Sequence, residues 1–183
     1  ETWDRTMTDL SWKTSITEIK PNEVRLRGYR IDELMGSISF AEAVFLALKG
    51  ELPSANVARM MNAILVSSID HGASPPSALA ARTVASTGAP LNAAVAAGIL
   101  SINRHHGGAI EDCMKVLQSG IDRLNRSGET VDKIAADLVT EHNASGKRIA
   151  GLGHRLHTSD PRTEKLFKLA QELEIAGDGI QMI

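Results

Sequence analysis

Six histidines punctuate the chain, and three of their settings suit chemistry. They are Asp70-His71-Gly72, His105-His106-Gly107-Gly108 and Gly151-Leu152-Gly153-His154, each where one helical pattern ends or the next begins. Imidazole is the side chain most easily set to work near neutral pH. Glycine beside it lets backbone approach a ligand and frees N–H groups to point at it. Helix N-termini add a field that favours anions. The three loops together point to a site for an anionic small molecule, with His71, the His105-His106 pair and His154 as its polar groups. A group of cations, Lys147, Arg148, Arg155 and Arg162, falls in the same C-terminal stretch. Other chemistries fit less well. A zinc site from His105, His106 and Glu111, or from His154 and His157, lacks H-E-x-x-H or cysteine spacing, so no metal is expected. Gly151-x-Gly153 is not a dinucleotide fingerprint, because the sixth position is Leu156 and no βαβ unit surrounds it. Cys113 lies inside an amphipathic pattern and reads as a small core residue. His142 ends a polar helix and reads as solvated.

The elements that must position these residues are helical. Hydrophobic residues make up 43% of the 183 positions and aromatics only 3%, which suits close-packed helices better than a β-sandwich. One strand-like segment stands at the start: Lys13 to Lys20 and Val24 to Arg27 alternate around Pro21-Asn22, the pattern of a small hairpin. Ser39 and Glu42 form a capping box for a helix stopping at Gly50. Pro53-Ser54 opens a helix with its apolar stripe on Val57, Met60, Met61, Ile64 and Leu65. Pro75-Pro76 opens a third helix, ended by Gly88. Leu91 to Ile102 is apolar nearly all round, so it reads as a helix buried on every side, either in the chain's own core or at a subunit interface. Ala109 to Leu124 and Val131 to Val139 are amphipathic, the second begun by Thr130. Asp160-Pro161 is an N-cap with proline at the first helical position. The expected fold is mostly α, with seven or eight helices and a small N-terminal β-hairpin.

Composition excludes several classes. The net charge of −2 carries no basic block for nucleic acid or an anionic membrane. No apolar run is long enough to span a bilayer, and Glu1 to Leu10 lacks the layout of a signal peptide. The single cysteine excludes an intrachain disulfide framework and fits a reducing, cytoplasmic setting. The absence of an initiator methionine and the stop at Ile183 lead us to expect part of a longer protein.

The stretches T-S-I-T-E-I, R-L-R-G-Y-R-I-D-E-L and S-F-A-E-A-V-F-L-A-L-K-G-E-L-P resemble the opening signature of the citrate synthase superfamily. Asp70-His71-Gly72 with S-A-L-A-A-R, then H-H-G-G-A, resemble its first two active-site histidine regions. R-I-A-G-L-G-H-R-L-H-T-S-D-P-R resembles its third. The motifs run in the family's order from about Thr14 to the end. Pro53 and His71 stand 18 positions apart, a much shorter interval than in full-length citrate synthases. This short form is similar to citryl-CoA lyases and to the citrate-synthase-like module of ATP-citrate lyases.

The resemblance implies a citrate-synthase-like helical bundle, divided into a large domain over residues 1–105 and a small, coenzyme A-binding domain over 106–183, incomplete at its C-terminus. The implied reaction is cleavage of citryl-CoA to acetyl-CoA and oxaloacetate. The alternatives are a citrate or 2-methylcitrate synthase running the condensation, and a non-catalytic dimer or structural subunit that binds CoA or citrate. His106 would hydrogen-bond the thioester oxygen, with His105 as the neighbour that could take its place. His154 would hold the carbonyl or alkoxide oxygen of the oxaloacetate half. His71 and Arg162 would bind that half, Arg162 through a carboxylate. Arg148, Ile149, Ala150, Gly151, Leu152 and Gly153 would form the coenzyme A loop. No tightly bound cofactor is implied; the coenzyme A thioester is substrate or product. The family's acid–base Asp would lie beyond Ile183, and Asp178 is not assigned to that role. A homodimer or higher homo-oligomer is implied.

Overall fold

A computed structural model describes residues 14–153 and 158–183. The chain divides into two compact units, one ending at Leu65 and one beginning at Val66.

The first unit opens on a three-stranded antiparallel sheet, β1 (Thr17–Lys20), β2 (Glu23–Leu26) and β3 (Tyr29–Arg30). Lys20 pairs with Glu23 across the Pro21-Asn22 turn, as the alternation leads one to expect. The third strand is an addition to the expected hairpin. Arg27 and Gly28 both take positive φ, 50° and 90°, which ends β2 one residue early and turns the chain into β3. The Arg27 side chain then reaches α2 (Phe40–Lys49), following the short α1 (Ile31–Leu34). Its Nε and Nη2 donate to Ala47 O at 3.0 and 2.7 Å, satisfying a carbonyl in the last turn. At the other end of α2 the capping box forms. Ser39 N–H donates to Glu42 Oε2 at 2.8 Å and Glu42 N–H to Ser39 Oγ at 3.3 Å. Leu46 is fully buried. The unit closes in α3 (Ala55–Ser67), whose Val57 N–H is capped by Ser54 Oγ.

The second unit is all helix: α4 (Pro76–Ser86), α5 (Leu91–Leu100), α6 (Ala109–Ser127), α7 (Val131–Ala144), α8 (Pro161–Glu172) and α9 (Asp178–Gln181). The α4 and α5 helices form a close hairpin. Gly98 makes this possible, since a Cβ there would lie 3.1 Å from Ser77 O and 3.4 Å from Ala81 Cβ. The expectation that α5 is buried on every side is not met within the chain. Only Ala94 and Gly98 are buried, while Leu91, Ile99 and Leu100 are 80%, 62% and 78% exposed. The small Gly98 packs on α4, and these large side chains stand exposed. Helix α6 runs to Ser127, a turn further than its sequence pattern suggests, and stops where Gly128 takes φ 70°. Its Gly120 meets Leu138 of α7 and Met182 beside α9, and Ile134 of α7 is fully buried. Asp160 caps α8 by accepting from Arg162 N–H at 2.9 Å, with Pro161 at the first position, and Ala170 and Leu173 are buried. No described helix is long and apolar enough to cross a membrane.

Candidate functional site

Two of the histidine loops meet at the N-terminus of α4. His71 precedes that helix in a turn closed by Gly72 N–H donating to Asp70 Oδ2 at 3.2 Å, with Gly72 at φ 86°. His106 lies 35 positions later, between α5 and α6. Their rings stack, with centroids 5.9 Å apart and planes 18° from parallel. Ser77, nearly buried on the first turn of α4, joins them: its Oγ lies 2.9 Å from His106 Nε2 and 3.4 Å from His71 Nε2. Ser77 N–H also donates to His106 Nε2 at 3.4 Å. A backbone amide can only donate, so Nε2 of His106 is the accepting nitrogen. The network is satisfied when His71 Nε2–H donates to Ser77 Oγ and Ser77 O–H donates to His106 Nε2. In that tautomer Nδ1–H of His106 is a donor with no hydrogen-bond partner among the described residues.

The loop carrying His106 is tightly wound. Asn103 and His106 exchange both backbone hydrogen bonds, each 2.9 Å, and Gly108 N–H also donates to Asn103 O at 3.2 Å. Asn103 Nδ2 donates to Leu100 O at 2.7 Å, tying the loop to the end of α5. This winding separates the two adjacent histidines: His106 is half-buried against Ser77, and His105 is exposed. Sequence reasoning passed over Ser77. Its one local signal is a hydroxyl in the first turn of an Ala-rich helix; its partner His106 is 29 positions away.

The 148–153 loop sits on α6. Gly151 takes φ 82° directly over Cys113 and Ala109. Cys113 is therefore half-buried beneath this loop and is not a core residue. A cleft of about 250 Å³ beside the loop is lined by Val139, His142, Asn143, Arg148, Ile149 and Leu152. His142 is half-buried in it and is not solvated as its position suggests; its Nδ1–H donates to Leu138 O at 2.8 Å. A second cleft, about 520 Å³, borders Gly151, Leu152, Gly153, Thr158, Asp160 and Glu164.

Arg162 is turned onto Asp160. Its Nε donates to Oδ1 at 3.0 Å and its Nη2 to Oδ2 at 2.6 Å, and this hydrogen bonding holds the guanidinium above its ordinary pKa. No hydrogen bond or ion pair joins it to His71 or His106 among the described residues. His154, with Arg155 and His157, lies outside the described residues.

Residues 53–182 match the family model for the citrate synthase C-terminal domain. The chain is 31% identical over 145 residues to the citrate synthase of Haloferax volcanii, covering 78% of this chain and 36% of that protein. It is 40% identical over 116 residues to the citrate synthase of Helicobacter pylori, covering 62% of this chain and 25% of that protein. Its structure is similar to that of citryl-CoA lyase from Hydrogenobacter thermophilus, with a TM-score of 0.83 and 47% identity, over 93% of this chain and 64% of that one. It also shares the fold of ATP citrate lyase from Methanothrix soehngenii, with a TM-score of 0.78 at 20% identity, over 94% of this chain and 28% of that one.

Proposed function

This chain belongs to the citrate synthase family, and from that premise we propose that its protein cleaves citryl-CoA to acetyl-CoA and oxaloacetate. The observation that carries the reading is the Ser77-bridged pair of stacked imidazoles, His71 and His106, at the head of α4. The 47% identity to a citryl-CoA lyase supports the direction.

The cleavage is a retro-Claisen step. The tertiary hydroxyl of the citryl group gives up its proton and its oxygen becomes the ketone oxygen of oxaloacetate. The carbon–carbon bond breaks, and its electron pair moves to the thioester oxygen as the enolate of acetyl-CoA. A proton delivered to the enolate carbon completes acetyl-CoA. Charge thus develops on the thioester oxygen. The Nδ1–H of His106 is the donor proposed to meet it, a contribution of roughly 3–4 kcal/mol for a well-placed donor. Neutral imidazole donates there without surrendering its proton. His71 is proposed to bind the oxaloacetate half, and His154 to hold its hydroxyl or ketone oxygen. Arg162 would take a substrate carboxylate by exchanging it for Asp160, a fork geometry suited to either partner. Residues Arg148 to Gly153 would receive coenzyme A, which enters as part of the substrate with no tightly bound cofactor. A division into a large domain over 1–105 and a small one over 106–183 is part of the same proposal. So is a homodimer or higher homo-oligomer that covers the exposed Leu91, Ile99 and Leu100 of α5, with the protein working in the cytoplasm.

A second reading is the reverse condensation, favoured by the two citrate synthases among the relatives. Full-length protein given citryl-CoA, and separately acetyl-CoA with oxaloacetate, decides between them through thiol release and oxaloacetate concentration. Faster cleavage supports the lyase, and faster condensation the synthase. Turnover in neither direction with coenzyme A still bound points to a binding subunit.

Ser77→Ala tests the bridge. It removes one hydroxyl that orients His106 without touching substrate, so kcat is expected to fall up to about tenfold with KM little changed, the scale of one net hydrogen bond. Steady-state kinetics on citryl-CoA measure this; a change confined to KM would assign Ser77 to binding instead.

A further inference from the structure

Gly151 has no room for a side chain. A Cβ there would lie 2.9 Å from Cys113 Cβ, 3.3 Å from Cys113 Sγ and 3.4 Å from Ala109 O. Ala109 and Cys113 form the first turn of α6, the helix that begins directly after Gly108. One turn of helix thus ends the His106 loop on one side and carries the 148–153 loop on the other. We propose that Cys113 is a positioning residue for the coenzyme A end of the substrate. Its small side chain lets the 148–153 backbone descend onto α6, where that backbone would receive the nucleotide end of the substrate. The inference rests on the reading of 148–153 as the coenzyme A loop.

The physical reason is size. Cysteine places one heavy atom beyond Cβ, and a Cβ built on Gly151 would already lie 3.3 Å from that atom. The contact leaves no space for one methyl on the loop side, so two extra carbons on the helix side lift the loop. The same contact makes the loop a partial cover for a half-buried thiol. A nucleotide that holds the loop down tightens the cover.

The test uses the full-length protein and desulfo-CoA, which has no thiol of its own. Cys113→Leu is expected to weaken desulfo-CoA binding and raise KM for the thioester by about tenfold, with kcat at saturation held within about twofold. Cys113→Ala, the conservative variant, should keep wild-type binding and KM. In the wild type, saturating desulfo-CoA should slow alkylation of Cys113 by iodoacetamide several-fold, read by peptide mass spectrometry. This second arm decides the matter if Cys113→Leu fails to fold by circular dichroism. Wild-type affinity in Cys113→Leu, or alkylation indifferent to bound desulfo-CoA, overturns the inference while leaving the coenzyme A reading intact. A wild type that binds no desulfo-CoA overturns both.

Discussion

His106→Ala should lower kcat for citryl-CoA cleavage by roughly 10²–10³-fold, the cost of removing one oxyanion donor. The far-ultraviolet circular dichroism should not change, because His106 is only half-buried and, among the described residues, its ring stacks on His71 and hydrogen-bonds Ser77. The loss should fall on kcat more than on KM, since the thioester oxygen carries far more charge in the transition state than in the ground state. Ser77→Ala gives the calibration. A residue that only orients the imidazole costs about tenfold, while the imidazole itself costs one or two orders more. Equal losses in the two variants would mean that Ser77, and not His106, faces the reacting oxygen. His105→Ala should be close to neutral, because that side chain is exposed and outside the Ser77 network.

Gly108→Ala should lower kcat by about 10–100-fold, the scale of an ångström of misplacement at a reacting group. The reason is steric and local. Gly108 has an ordinary φ of −66°, so alanine suits its backbone conformation. A Cβ there, however, would stand 2.5 Å from Arg104 O and 2.8 Å from Arg104 Cα. Those are backbone atoms of the turn that Asn103 and His106 close between them, and they cannot move aside without turning His106. Gly128→Ala is the matched control at the far end of the same helix. It strains a residue at φ 70° with nothing within 4 Å, so it costs stability through conformation alone. Its kcat should match the wild type after correction for folded fraction. If both variants lose activity only in proportion to unfolding, the His106 loop is more pliable than its hydrogen bonds indicate.

Much of the scaffold was legible because its signals are local. The Ser39-Glu42 capping box, the Pro75-Pro76 and Asp160-Pro161 starts, and the glycine stops at Gly50 and Gly88 each act within a turn of the residues that encode them. The third strand escaped because it is two residues long, too short for alternation to register. Where α5 is covered is a different matter: of the two settings its sequence allows, the chain's own core does not hold its large residues. An apolar helix tells only that its faces avoid water, and says nothing of where its neighbours are. The histidine regions were legible from motif alone. Their mutual geometry was not, because the stacking of His71 on His106 and the Ser77 bridge depend on pairings across 35 and 29 positions. The same holds for Arg162, whose N-cap partner Asp160 also occupies its guanidinium, a dual use that a D-P-R motif does not advertise.

Ser77 is shared by two neighbours with no common interest. Its hydroxyl faces the imidazoles, while its carbonyl lies where a methyl on Gly98 would come within 3.1 Å. A side chain at position 98 would therefore press on the residue that bridges the two imidazoles as well as on the helix packing. Anyone redesigning the α5 surface to change how copies assemble must leave that glycine alone, though both imidazoles lie in loops outside its helix.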